Sequence, residues 1–249
     1  MRRVALDPHV HSAGSYDCST PVAEVLAAAV RAGLDAVAIT DHDALAESLR
    51  ARELAPDYGL LAVPAVEVST ADGHLLALGV EEVPAPGRPL AETAADVRAG
   101  GGVAIVPHPF QRTRHGARAA AIRNVDLVET YNAHTVAGLR NRQASRFAAR
   151  EGYPVTGGSD AHDPALVGRA YTEVLVEPDG DAASGAHAAV GTDGTHDGET
   201  DRTAPDVTVE ALLDGLRAGR TTVRGGRVSA RQMARKYVRN AAIKTLPFL

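Results

Sequence analysis

Two histidines one residue apart, His9 and His11, follow the apolar opening stretch Arg3-Val4-Ala5-Leu6. That stretch reads as a short buried strand, and in an extended segment side chains two apart point to the same side. Both imidazoles therefore face one spot and offer two neutral nitrogen ligands to a divalent transition metal. A lone His-x-His pair also lines ordinary polar rims, so the reading depends on ligands arriving from elsewhere. Asp17, His42, Glu67, His74, His108, Asp160 and His162 supply them. A mononuclear zinc site uses three protein ligands and a water, so a set this large implies two or three metal ions. Mixed imidazole and carboxylate ligands suit Mn, Fe or Zn better than Mg, which prefers oxygen.

These residues must be carried to one place by regular elements. Pro21 to Ala32 reads as a helix, with Thr20 as its N-cap, Glu24 in the first turn and Gly33 after its end. Asp35 to Thr40 is a buried-type strand running into Asp41-His42-Asp43, and Ala44 to Ala55 returns as a helix that Asp43 is expected to cap. Leu60 to Val68 is an apolar run carrying Glu67, and His74 opens the strand Leu75 to Val80. Leu90 to Ala99 reads as a helix, and strand Val103 to Val106 meets His108. Strand Val125 to Thr130 meets Tyr131-Asn132, and helix Val136 to Arg150 leads to strand Tyr153 to Thr156 and then Ser159-Asp160-Ala161-His162. Tyr171 to Val176 is a further strand. Roughly seven strand-helix units are countable, which predicts a parallel sheet close to a closed α/β barrel. The polar candidates fall just past strand ends, the face where barrel active sites form.

Composition sets the outer limits. The chain has 249 residues, 45% hydrophobic but only 4% aromatic and without Trp, so the core is mainly Ala, Val and Leu. A formal charge of -5 argues against general nucleic-acid affinity from overall charge. The single cysteine, Cys18, excludes an internal disulfide and a four-cysteine zinc site, and reads as a small buried residue. No run approaches the roughly 20 apolar residues of a membrane span, and no signal-peptide core follows Met1, so a cytoplasmic location is expected. Residues 177–206 break the pattern with acids, Gly and Ser, and read as a solvated, flexible insertion whose His187 and His196 are not ligands. The basic segment 227–245 reads as an amphipathic helix lying on the one barrel domain that the whole chain is expected to form.

Asp7-Pro-His9-Val-His11, Ile39-Thr-Asp41-His42-Asp43, Glu67, Gly73-His74, Pro107-His108-Pro109 and Gly158-Ser-Asp160-Ala-His162 resemble, in order, the successive motifs of the polymerase and histidinol phosphatase (PHP) family. The resemblance spans about residues 4–176, and within the family it is greatest to the TrpH-type metal-dependent phosphoesterases. It implies a distorted (β/α)7 TIM-like barrel and a trinuclear centre of Mn, Fe or Zn. On that pattern His9, His11, Glu67 and Asp160 hold a first metal. Glu67 bridges to a second with His74 and His108, and Asp17, His42 and His162 hold a third. Two departures stand out. Only 33 residues separate His74 from His108, too few for the helical lid of many TrpH-type members. Asn132 stands where some members place a histidine, with His134 two residues on.

The expected chemistry is phosphoester hydrolysis by a metal-bound hydroxide, with no protein nucleophile. Arg112 and Arg114, just after His108, and Arg169, just after the last motif, are the candidates for holding substrate phosphate oxygens. Asp7 and Asp41 are expected to orient ligand imidazoles, while His115 and His134 read as rim residues. The expected substrate is a phosphomonoester or terminal phosphodiester, small or nucleotide-like, extending to a short nucleic-acid end. The alternatives are a histidinol-phosphatase-like activity on an amino-alcohol phosphate, a non-phosphate hydrolase, and a non-catalytic metal-binding module.

Overall fold

Nine strands, most of them rich in Val, Leu, Ile and Ala, form one sheet among the residues described, 1–135, 138–177 and 207–226, in a computed structural model. The insertion read at 177–206, Glu177 apart, and the basic helix read at 227–245 lie outside the described residues. In chain order the elements are β1 (Arg2–Val10), α1 (Val22–Arg31), β2 (Ala36–Ile39), α2 (Ala46–Leu54), β3 (Leu61–Thr70) and β4 (Gly73–Leu78). They continue with α3 (Leu90–Ala99), β5 (Val103–Val106), β6 (Leu127–Asn132), α4 (Leu139–Glu151) and β7 (Val155–Gly158). The last are β8 (Ala170–Val176), α5 (Val209–Arg217) and β9 (Thr221–Gly225). The spatial order is β7-β6-β5-β4-β3-β2-β1-β8-β9.

The sheet is not wholly parallel. β4 runs against β3 and β5, and β8 runs against β1 and β9, while the other pairs are parallel. Each reversal matters for position. Ser69 pairs with His74, so the first residues of β4 lie at the end of the sheet where its neighbours finish. His74 opens a strand, yet reaches the face where the other ligands arrive.

The two edges of the sheet come together. The Thr172 hydroxyl on β8 accepts from the Gly157 amide and donates to the Gly157 carbonyl, both at 2.9 Å. Thr221 on β9 donates to the Val155 carbonyl at 2.7 Å. A Cβ on Gly157 would meet Cγ1 of Val223 at 2.6 Å, so a side chain here would force the packed seam to shift. The result is a nearly closed, distorted barrel.

A β-bulge in β1 aims the histidines. Val4 and Leu6 join the cluster shared with Ala36, Val63 and Leu127, whereas Ala5 packs with the cluster that α1 covers. Val10 joins Ala5 on that second side, five residues on, because the register slips between Asp7 and Val10. The extra residue between Asp7 and Val10 changes the alternation. His9 and His11 thereby share the inner side with Leu6.

Helix packing follows the apolar stripes. Val22, Val25, Leu26 and Ala29 of α1 are buried, each Val or Leu contributing about 1.5–3 kcal/mol. Leu212, Leu213 and Leu216 of α5 bury on the inner cluster. Three local expectations are corrected. Pro21, not Thr20, stands at the N-cap of α1, without a side-chain cap. Asp43 caps nothing; its carboxylate accepts from the Ser69 amide at 2.7 Å and ties the loop to β3. Tyr153 lies past the C-cap of α4, its amide bonding back to the Ala148 carbonyl, so β7 begins only after Pro154. Among the described residues, no helix is long and apolar enough to cross a membrane.

Candidate metal centre

One carboxylate organises the site. Glu67, buried on β3, faces five imidazoles. Its Oε1 lies 2.8 Å from His74 Nδ1 and 3.0 Å from His108 Nε2. Its Oε2 lies 3.3 Å from His9 Nε2, 3.1 Å from His11 Nε2 and 3.5 Å from His42 Nδ1. The strands place them so: β1 delivers His9 and His11, the end of β2 delivers His42, and the reversed β4 delivers His74. His108 follows β5.

A second cluster lies around Asp17. Its Oδ2 is 2.9 Å from His162 Nε2, and its Oδ1 is 3.9 Å from His42 Nε2. The Ser15 hydroxyl donates to Asp17 at 3.2 Å, so the 12–18 loop is held against the site. Asp160 joins the two clusters: its Oδ1 lies 3.5 Å from His162 Nδ1, 3.6 Å from His11 Nε2 and 3.8 Å from His9 Nε2. His108 and Asp160 both adopt positive φ, 30° and 54°, a conformation that costs a non-glycine residue about 1–3 kcal/mol and is characteristic of functional sites.

All nine residues singled out from the sequence come together here. Their ligand atoms fall into four overlapping groups, each within 4.8 Å: His11, Asp17, His42 and His162; His9, His108 and Asp160; His9, His11 and Glu67; and His42, Glu67 and His74. The donor set fits divalent cations. Nε2 of His9 and of His11 stand 3.3 Å apart while both face the same carboxylate oxygen. Nδ1 of His42 and Nδ1 of His108 are buried without a hydrogen-bond partner among the described residues. Converging lone pairs of this kind are costly unless a cation uses them.

The charges are mutually adjusted. Burial works against ionising Glu67, but His42, His74 and His9 outweigh it and hold its carboxyl well below the usual range. Burial also disfavours protonated His9, yet the Asp160, Glu67 and Glu129 carboxylates raise it well above an ordinary imidazole. His74 is likewise raised against its burial by Glu67. Burial wins at His42, pulling it down to about 4, and lowers His108 too.

The supporting carboxylates differ from expectation. Among the described residues neither Asp7 nor Asp41 hydrogen-bonds an imidazole. Asp7 accepts from the amides of Ser159 at 3.0 Å, Gly168 at 2.9 Å and His9 at 3.4 Å, and burial pushes it up to about 6. Asp41 accepts from the amide and hydroxyl of Ser12. Both hold backbone, fixing loops whose side chains reach the centre. The carboxylate that holds Nδ1 of His9 is instead Glu129, absent from the sequence reading. Its Oε1 lies 3.1 Å from His9 Nδ1, and its Oε2 accepts from the His108 amide at 2.7 Å and from Asn132 Nδ2 at 3.0 Å. The signal was an acid inside the apolar strand Leu127 to Asn132, where a buried carboxylate needs partners.

The three arginines take different places. Arg114 reaches inward, donating to Oδ2 of Asp160 and, at 3.2 Å, to Oδ1 of Asn132. Arg112 is exposed and lines a cleft of about 690 Å³ that opens beside His74. Arg169 is exposed in the turn before β8. His134, read as a rim residue, is buried, its Nδ1 3.2 Å from the Ser159 carbonyl. His115 is exposed, and its ring stacks on His74 with centroids 5.2 Å apart. Cys18 is buried, as its type suggested.

The model of the PHP domain matches residues 7–135, which contain seven of the nine clustered side chains, and the PHP-associated model matches residues 138–221. The chain belongs to the PHP family. An uncharacterized protein of Methanocaldococcus jannaschii is 30% identical over 131 residues, covering 51% of this PHP chain and 75% of that protein. The phosphoribosyl 1,2-cyclic phosphate 1,2-diphosphodiesterase of Eggerthella lenta is 42% identical over 82 residues, 30% of this chain and 31% of that enzyme. A two-domain Bacteroides vulgatus protein containing a predicted PHP-like metal-dependent phosphoesterase shares the fold. It has a TM-score of 0.67 at 16% identity, over 96% of this chain and 70% of that one.

Proposed function

We propose that this PHP protein is a metal-dependent phosphoesterase, hydrolysing a phosphomonoester or terminal phosphodiester of a small or nucleotide-like substrate. The observation that carries the reading is Glu67, one buried carboxylate facing five imidazoles, with Asp160 joining that cluster to the one around Asp17. His9, His11, Glu67 and Asp160 would hold one divalent ion, Glu67, His74 and His108 a second, and Asp17, His42 and His162 a third. Bound Mn, Fe or Zn supplies Lewis acidity to a phosphoryl oxygen and acidifies water to a pKa of about 7. The chain supplies the rest. Asp7, Asp41 and Glu129 fix the loops and the His9 ring, so little reorganisation accompanies the reaction. Arg114 uses two of its five N–H donors on Asn132 and Asp160, and the remaining ones are available to phosphate oxygens beside the centre.

The test pairs elemental analysis of the purified protein with hydrolysis of a generic aryl phosphate after Mn2+ addition. Two or three metals per chain with turnover establish the activity. Near-zero metal after reconstitution overturns the ligand set, and metal without turnover on any phosphoester makes the protein a binding module. In the phosphoesterase reading the protein acts in the cytoplasm, on a diffusible substrate.

A further inference from the structure

The cleft beside His74 has a chemistry that the metal centre leaves unused. Two guanidiniums line it, Arg112 and Arg118, and both are exposed. Among the described residues neither side chain has a hydrogen bond or ion pair, whereas the exposed arginines 52, 88, 98 and 217 each pair with an acid. Asp72, the one acid in the lining among the described residues, accepts from the Leu90 amide at 3.0 Å. The surface is therefore a positive concavity, and it ends on His74, which contacts Glu67.

Ring faces complete the lining. Tyr16 is 63% exposed, and its ring lies on His42 with centroids 4.8 Å apart and planes 21° from parallel. His115 lies on His74 in the same way, at 5.2 Å and 24°. A large aromatic held flat against a buried imidazole, with its other side bare, is a preformed contact surface.

We propose that this cleft is a second anion subsite, so that the substrate is a phosphoester carrying a further anionic group recognised by Arg112 and Arg118. The inference rests on the phosphoesterase reading of the adjoining centre. The scissile phosphate sits at the centre, the body of the substrate passes Tyr16, and its second charge reaches the two arginines. Guanidiniums without a partner among the described residues keep their donors for a ligand oxyanion, and a concave wall strengthens the attraction by excluding water. A neutral alcohol phosphate leaves those cations unsatisfied.

Calorimetric binding to the Mn2+-loaded full chain tests this without needing turnover. The probes are ω-carboxyalkylphosphonates of increasing length, each compared with its own methyl ester, which differs in one charge. Straight-chain bisphosphonates form a parallel series that separates a phosphate from a carboxylate as the second group. At the best-fitting length the acid, or the bisphosphonate, should bind about tenfold tighter than the ester, the effect of one charge-assisted contact. Arg118→Ala should bring that ratio close to one with an unaltered unfolding midpoint, and Arg118→Lys should restore part of it. A ratio near one at every length in the unsubstituted protein overturns the subsite. The same holds if Arg118→Ala leaves a large ratio intact. Aryl phosphate turnover stands in either case, so the two readings fail separately.

Discussion

Glu129 Oε1 lies 3.1 Å from Nδ1 of His9, while Nε2 of the same ring faces Glu67 at 3.3 Å. Carboxylates therefore address both nitrogens of one buried imidazole. The partner at Nδ1 fixes the tautomer and leaves Nε2 as the ligand atom, and it raises the basicity of the ring. Glu129→Gln keeps the shape and removes the charge. It should weaken metal binding by about 10–100-fold, as such outer partners do elsewhere. Titration of the ion-free protein with Zn2+ or Mn2+ measures this directly. Unchanged affinity would mean that His9 is oriented by the bulge in β1 alone.

Arg114 gives a kinetic counterpart. Its guanidinium is shared between Asp160 and Asn132 at the edge of the centre. Arg114→Ala should lower kcat/KM for any phosphoester by about 10²–10³, the usual cost of removing a positioned donor to developing charge. Metal stoichiometry, read by elemental analysis, should remain, because Asp160 also keeps its 2.9 Å bond from Asn132. Loss of metal together with activity would recast Arg114 as a support for Asp160.

Much of this was legible in the sequence because metal ligands have restrictive chemistry. His9, His11, His42, His108, Asp160 and His162 stand at or just beyond strand ends, and their types betray them without tertiary information. His74 was legible as a residue, but its position was not: only the reversed direction of β4 brings the start of a strand to this face. The roles of Asp7 and Asp41 were misjudged for a related reason. The register slip that begins after Asp7 takes it off the side His9 occupies although the two stand two residues apart, and Asp41 lies past the end of β2, so each reaches backbone instead of a ring. Glu129 was hidden inside an apolar run and acts across 120 residues of sequence on His9. Closure of the barrel through Thr172 and Gly157 also depends on distant pairing, which strand periodicity does not encode.

Protons and metal ions compete for the same nitrogens. His9 and His74 are both raised above the ordinary imidazole value by the surrounding carboxylates, so they keep their protons to higher pH than a free imidazole and a metal must displace them. His42 and His108 are lowered and already offer lone pairs. Apparent metal affinity should therefore rise with pH through the neutral range, by about tenfold per pH unit for each proton displaced. Calorimetry in buffers of different ionisation enthalpy counts the released protons. Zero release at pH 7 would contradict the raised state of His9 and His74.

Two adjacent glycines separate support of the barrel from support of the centre. A Cβ on Gly157 would strike Val223 Cγ1 at 2.6 Å, at the seam with β9. A Cβ on Gly158 would lie 2.6 Å from Glu129 Oε1 and 2.7 Å from His9 Cβ, behind the ligand ring. Each alanine forces a shift in a packed surrounding, which costs about 1–3 kcal/mol, so denaturant unfolding should show both variants destabilised. Only Gly158→Ala displaces the pair that orients His9. Its metal affinity should fall at least as far as that of Glu129→Gln, while Gly157→Ala should bind metal nearly as the original protein does. If both lose metal equally, the centre depends on closure of the seam and not on the contact behind His9.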